Sequence, residues 1–196
     1  MIKRYKDFEA KVSAGAGEKL PVGGYICKIL NPEVVDYDWG SVLLLHVDID
    51  EGEYKGFYAN QYKNNTNEDK KWKGTLRVNL PKDDGSEKDG WTKNAFNNVI
   101  GCIEEANPNF RWAWDEQGLK GKTIGIAFRE EEWAVNGNTG WATRPWRAIP
   151  VADIEDCKIN PKWLEPKPLK NKAPAAAVPA PGEFTAIPSD IALPWD

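Results

Sequence analysis

The residues of this sequence best suited to chemistry are aromatic rings set among cations. Tyr58, Tyr62 and Lys63 lie in one aromatic stretch, and Lys70-Lys71-Trp72-Lys73 and Arg77 follow. Trp133 comes later, then Trp141, Arg144, Trp146 and Arg147. Single-stranded nucleic acid asks for this mixture. Its unpaired bases stack on flat faces at roughly 1–3 kcal/mol each, and its phosphates follow a positive groove. The candidate stacking rings are Tyr58, Tyr62, Trp72, Trp141 and Trp146. The candidate phosphate contacts are Lys63, Lys71, Lys73, Arg144 and Arg147. Many of the aromatic side chains must be core, because alternate rings along a barrel strand point inward. Between residues 55 and 93 there are nine Lys or Arg against six Asp or Glu, a mild excess that supports a positive patch.

Other chemistries find little to work with. A single histidine, His46, and three separated cysteines, Cys27, Cys102 and Cys157, make neither a zinc site nor a disulfide framework. Nothing around His46 resembles a nucleophilic triad. Glu130-Glu131-Glu132 reads as a solvated strand edge. Asp83-Asp84-Gly85-Ser86-Glu87 lacks the alternate-position spacing of a calcium loop. Neither Gly15-Ala16-Gly17 nor Gly23-Gly24 is followed by the Lys-Ser/Thr of a phosphate loop. No enzymatic activity, metal or cofactor is expected. The net charge of -4 excludes a uniformly basic coat and leaves room for a local one. No apolar run approaches the ~20 residues of a membrane helix, and Met1 to Lys6 is not followed by a signal-peptide core. The unpaired cysteines suit a reducing compartment, so the expected location is cytoplasmic.

The elements that must carry these residues are mostly strands. Residues 19–24 form a turn into a strand over 25–35, with Pro32 marking a bulge or an edge. Residues 41–50 alternate, with Leu43, Leu45, Val47 and Ile49 on one face and Val42, Leu44, His46 and Asp48 on the other. Both faces are partly apolar, which predicts a central strand. A third, aromatic strand is expected over 54–62, and a further short one over 75–80. Thr92 is the expected N-cap of a helix over 92–106, with Trp91 and Phe96 as its hydrophobic staple. Phe96, Val99, Ile100 and Ile103 form its buried stripe, and Asn107-Pro108 ends it. Residues 122–130 and 132–135 are β-like, and after turn chemistry over 136–140 the chain returns over 141–149. The expected fold is mainly β: an OB-fold-like five-stranded barrel with one helix between strands 3 and 4. A β-sandwich with one helix is the alternative.

Composition shifts near residue 161, since eight of the fourteen prolines fall between Pro161 and Pro194. The expected organisation is an extension over 1–19, a domain over 20–160, a Pro/Ala-rich linker over 161–182 and a docking tip over 183–196. No Lys or Arg occurs from Ala173 onward, while Glu183, Asp190 and Asp196 do. The stretch is expected to be disordered. Ile191, Leu193, Pro194 and Trp195 are the expected partner-docking residues.

Two stretches carry a resemblance. Leu45 to Tyr58, and Gly118 to Trp133 with the hairpin through Gly140, resemble small phage and prophage single-stranded-DNA-binding proteins of Gram-positive bacteria. The similarity runs over about residues 20–170 and includes Lys158 to Lys162. It implies an OB-type fold and a role coating single-stranded DNA in phage replication or recombination within a bacterial host. The terminus, Asp190-Ile191-Ala192-Leu193-Pro194-Trp195-Asp196, is similar to the acidic, Pro-aromatic tip of bacterial single-stranded-DNA-binding proteins. It departs by placing Asp196 after the aromatic. The tip implies replication or recombination proteins as partners. Homo-oligomer formation stays open. The competing reading is a phage accessory protein that binds and inhibits a host protein complex; a Trp-rich carbohydrate binder would normally be exported.

Overall fold

The computed structural model describes residues 19–169. Five antiparallel strands form one sheet: β1 (Gly23–Tyr37), β2 (Gly40–Ile49), β3 (Thr75–Asn79), β4 (Thr123–Val135) and β5 (Asn138–Ile149). Their order across the sheet is β3-β2-β1-β4-β5. The edges β3 and β5 come into contact without sharing a ladder. The helices are α1 (Phe57–Asn64), α2 (Glu87–Ala106) and α3 (Val151–Glu155). No helix among the described residues is long and apolar enough to cross a membrane.

The alternation in β2 does what its period of two requires. Leu43, Leu45, Val47 and Ile49 are all 2% exposed or less, and β2 is flanked by β1 and β3. On the opposite face, Leu44 and His46 border an open cleft. In β1 the bulge falls at Leu30, two residues before Pro32: Ile29 faces Val47 and Asn31 faces His46. Only residues 23–28 of β1 pair with β4. Pro32 therefore lies in the half of β1 that has β2 on one side and no strand on the other, where a missing N–H costs least.

The expected third strand over 54–62 is instead a turn and α1. Tyr54, Tyr58 and Tyr62 recur every four residues, a helical repeat that the β-propensity of aromatics masked. The helix has no cap of its own, because its N-cap position is Gly56, with φ 74°. A carboxylate from β2 caps it instead: Asp48 accepts from the backbone N–H of Tyr58 (2.9 Å) and Ala59 (3.0 Å), and also from Ile49 (2.9 Å). The third strand in chain order is thus β3, the short segment expected over 75–80.

Helix α2 buries Phe96, Val99, Ile100 and Ile103 as its periodicity demands. It begins five residues before the expected cap. Ser86 is the N-cap, its Oγ accepting from Asp89 N at 3.1 Å, and Glu87 and Asp89 favour the first turn. Thr92 sits inside the helix and donates to Lys88 O, while Trp91 is 67% exposed and staples nothing. At the other end the Asn107 amide donates to Ile103 O and Thr123 O and accepts from Thr123 N, tying the helix to β4. Replacing Ile100 by asparagine is expected to cost about 3–5 kcal/mol, from lost packing and an unpaired buried amide. A urea melt reads this directly; an unchanged midpoint would mean the stripe is not core.

Between β4 and β5, Asn136 (φ 50°) and Gly137 (φ 81°) form a two-residue turn, tighter than the five residues expected. Packing continues past residue 160. The Trp163 carbonyl accepts from Trp146 Nε1, and Lys167 pairs in parallel with Glu131 through Glu132 N to Lys167 O and Lys167 N to Glu130 O. The expected linker start at 161 therefore falls within packed chain. All three cysteines are free; Cys27 and Cys102 are buried. The docking residues Ile191, Leu193, Pro194 and Trp195, and the expected disordered tail, lie outside the described residues.

Candidate nucleic-acid interface

The cleft beside β2, of about 1210 Å³, gathers most of the aromatic and cationic candidates. One wall is the outward face of β2 and β3, with Leu44, His46, Thr75 and Arg77. A second is α1 and the loop after it, with Phe57, Tyr58, Gln61, Lys71, Trp72 and Lys73. The third is the β4–β5 hairpin, where residues 129, 131, 133 and 135 face inward at a strand's period of two. Lys19 and Lys167 line it as well.

Charge is concentrated here. Among the described residues, the lining holds seven Lys or Arg side chains (Lys19, Lys71, Lys73, Arg77, Arg129, Arg144 and Lys167) and one carboxylate, Glu131. The protein as a whole carries -4. Glu131 is shared between Arg129 (3.0 Å) and Lys167 (3.5 Å), and Lys19 pairs with Glu130 at the rim. Lys71, Lys73, Arg77 and Arg144 make no ion pair among the described residues.

The rings are held by the fold. Trp72 Nε1 donates to both Val47 O (3.1 Å) and Gly74 O (3.0 Å), fixing the indole against the β2–β3 junction. Gly74 is required there, because a Cβ would lie 2.5 Å from both the Tyr58 ring and Val47 O. Trp133 lies across the hairpin onto Gly140, where a Cβ would meet the indole at 2.7 Å. Trp146, at a bulge in β5, has the Arg129 guanidinium 3.8 Å over its ring. Trp141 is the freest, 42% exposed.

Of the ten residues expected to touch nucleic acid, Lys71, Trp72, Lys73, Trp141, Arg144 and Trp146 line the cleft with accessible surface. Tyr58 borders it but is 3% exposed and stacks on Phe128 in the core, so its assignment as a stacking ring is corrected. Burial and the neighbouring Cys27 and Asp48 push its phenol far above the usual range, and Arg144 pulls it partly back. Tyr58 therefore remains neutral, and its hydroxyl has no hydrogen-bond partner among the described residues. Tyr62 belongs to a shallower hollow next door, of about 300 Å³, which shares Trp72 and His46 with the cleft. Lys63 is exposed on α1 but does not line the cleft. Arg147 points away from it: its guanidinium lies 4.8 Å over Trp163 and near Cys102.

Arg129 and Lys167 escaped the sequence-level reading. Arg129 was hidden by the acidic run that follows it, and Lys167 by a Pro-rich context that looked like linker. No protein-family model matches this chain, and no curated protein matches it.

Proposed function

We propose that this protein binds single-stranded DNA in the cleft, largely without sequence preference, in phage DNA replication or recombination. The observation that carries the reading is the inversion of charge: among the described residues the cleft gathers seven cations and one carboxylate around accessible indoles, on a protein of net -4 over its full sequence. Such a groove attracts phosphates, and the rings offer any base a face. An OB-type barrel is supported by the strand order, by α2 lying between β3 and β4, and by the contact between the edges β3 and β5. The cytoplasm of a bacterial host is where such a protein would act, and residues 191–195 would recruit replication or recombination proteins.

Fluorescence anisotropy with a labelled oligo-dT tests this. Binding is expected at low salt, weakening as salt rises, with mixed sequences close to oligo-dT and duplex far weaker. Absence of binding at low salt overturns the reading. Trp141→Ala is expected to cost about 1–3 kcal/mol of binding, since one exposed face is lost, with the urea midpoint unchanged. Deleting residues 183–196 is expected to leave DNA affinity equal or tighter while abolishing partner recruitment, because the segment is acidic. Weaker DNA binding by the truncated chain would count against that role for the tip.

A further inference from the structure

The β1–β2 hairpin ends in a feature that the cleft does not account for. Tyr37 and Trp39 lie nearly parallel, with ring centroids 5.2 Å apart and planes 8° from one another. Neither is core: Tyr37 is 39% exposed and Trp39 is 54% exposed. Ring pairs of this kind usually stabilise an interior or an interface, where the burial of two large faces offsets the cost of ordering them. Here the pair stands at a hairpin tip and presents a flat indole to solvent.

Its neighbours connect it to the cleft. The Arg77 guanidinium lies 5.9 Å from the Tyr37 ring centroid, and its Nη2 donates to the Tyr37 hydroxyl at 3.4 Å. The same arginine lines the cleft from β3. Lys82 lies against the tip as well, since a Cβ on Gly40 would meet its Cε at 3.0 Å. Two acids lie at the hairpin tip. Asp36 accepts from Ser41 Oγ at 2.5 Å, and Asp38 is exposed. A phosphate approaching the tip is therefore drawn to the side held by Arg77 and Lys82 and away from Asp38.

We propose that the Tyr37–Trp39 stack is a second base-binding station, reached by a DNA strand that leaves the cleft past Arg77. The inference rests on the single-stranded-DNA reading of the cleft and extends it. The occupant is an unpaired nucleobase: the site offers a flat ring face with cations beside it, continuous with the cationic cleft through one arginine, and every base has a face that fits. The cleft and the station then act as two points along one strand, and affinity gains from the second only when the strand is long enough to reach both.

The experiment compares full-length wild type and Trp39→Ala on two oligo-dT lengths, about 6 and about 20 nucleotides, spanning the range of site sizes for such domains. The substitution is expected to weaken binding of the long oligo by about 5-fold or more and to leave the short one unchanged. Trp39→Phe is expected to restore most of the loss. A long oligo carrying 5-iododeoxyuridine near one end is expected to cross-link to the peptide that contains residues 37–39. If Trp39→Ala binds both lengths as wild type does while Trp141→Ala loses affinity, the station is overturned and the cleft reading stands. If wild type binds neither oligo, the cleft reading falls and takes the station with it. If Trp39→Ala alters only the sedimentation of the free protein, the stack is a contact between copies of this chain, and the proposal is overturned.

Discussion

Asp48→Ala is expected to remove about 2–4 kcal/mol of stability and to weaken the proposed DNA binding, although Asp48 is buried and does not line the cleft. The Asp48 carboxylate is 7% exposed and accepts three backbone N–H groups, two of them at the start of α1. Gly56 cannot replace it, having no side chain. Alanine leaves those buried donors unpaired, and each carries a penalty of about 1–3 kcal/mol when nothing replaces the acceptor. Frayed at its first turn, α1 no longer holds Phe57 and Gln61 in the cleft wall. The signature is a lowered urea midpoint together with reduced affinity. Asn in place of Asp48 keeps one acceptor and should fall between. A midpoint equal to wild type would show that water satisfies the helix start and that the cap is dispensable.

The triple variant Lys71→Gln, Lys73→Gln, Arg144→Gln is expected to lose at least about 100-fold in affinity at low salt and to flatten the salt dependence. These three exposed side chains, with Arg77, are the cleft cations that make no ion pair among the described residues. Four phosphate contacts on a single strand predict a log–log salt slope near about -3, hence a roughly 50-fold loss between 50 and 200 mM salt. Removing three should bring the slope to about -1. Stability should hardly change, because exposed side chains that make no ion pair among the described residues contribute little to it. A slope that stays steep would place the phosphates elsewhere on the surface.

What the sequence made legible was local. Leu43 through Ile49 announced a buried face by alternation, and Phe96 through Ile103 announced a helical stripe, because each pattern is completed within one element. The start of α1 was not legible. Its cap comes from Asp48, on another element, and a strand reading of its aromatics looked equally good. Tyr58 and Tyr62 are both tyrosines with helical spacing, yet one is core and the other is surface. Only the position of Gly74 and Phe128 against Tyr58 decides that. The cleft was half legible. Lys71 to Lys73 and Trp141 to Trp146 stood out as aromatic-cation clusters. Arg129 and Lys167 join them only because β4 turns its odd-numbered residues inward and the chain after Trp163 comes back alongside it.

The Arg129–Trp146 stack has a thermodynamic consequence. Arg129 is held from two sides, by the indole 3.8 Å below it and by Glu131, which accepts from both Nε and Nη2. An unrestrained arginine gives up about 2 kcal/mol of rotamer entropy when it is immobilised. Here that loss is already incurred in the free protein. On the proposed single-stranded-DNA reading, an arriving base would meet a rigid guanidinium plane lying on an indole, and the cost of ordering that side chain would drop out of the association. Lys71 and Lys73, on flexible stems, must still be ordered by the strand. Calorimetry should therefore assign a smaller entropic penalty per contact to the part of the cleft floored by Trp146 than to the part bordered by the lysines.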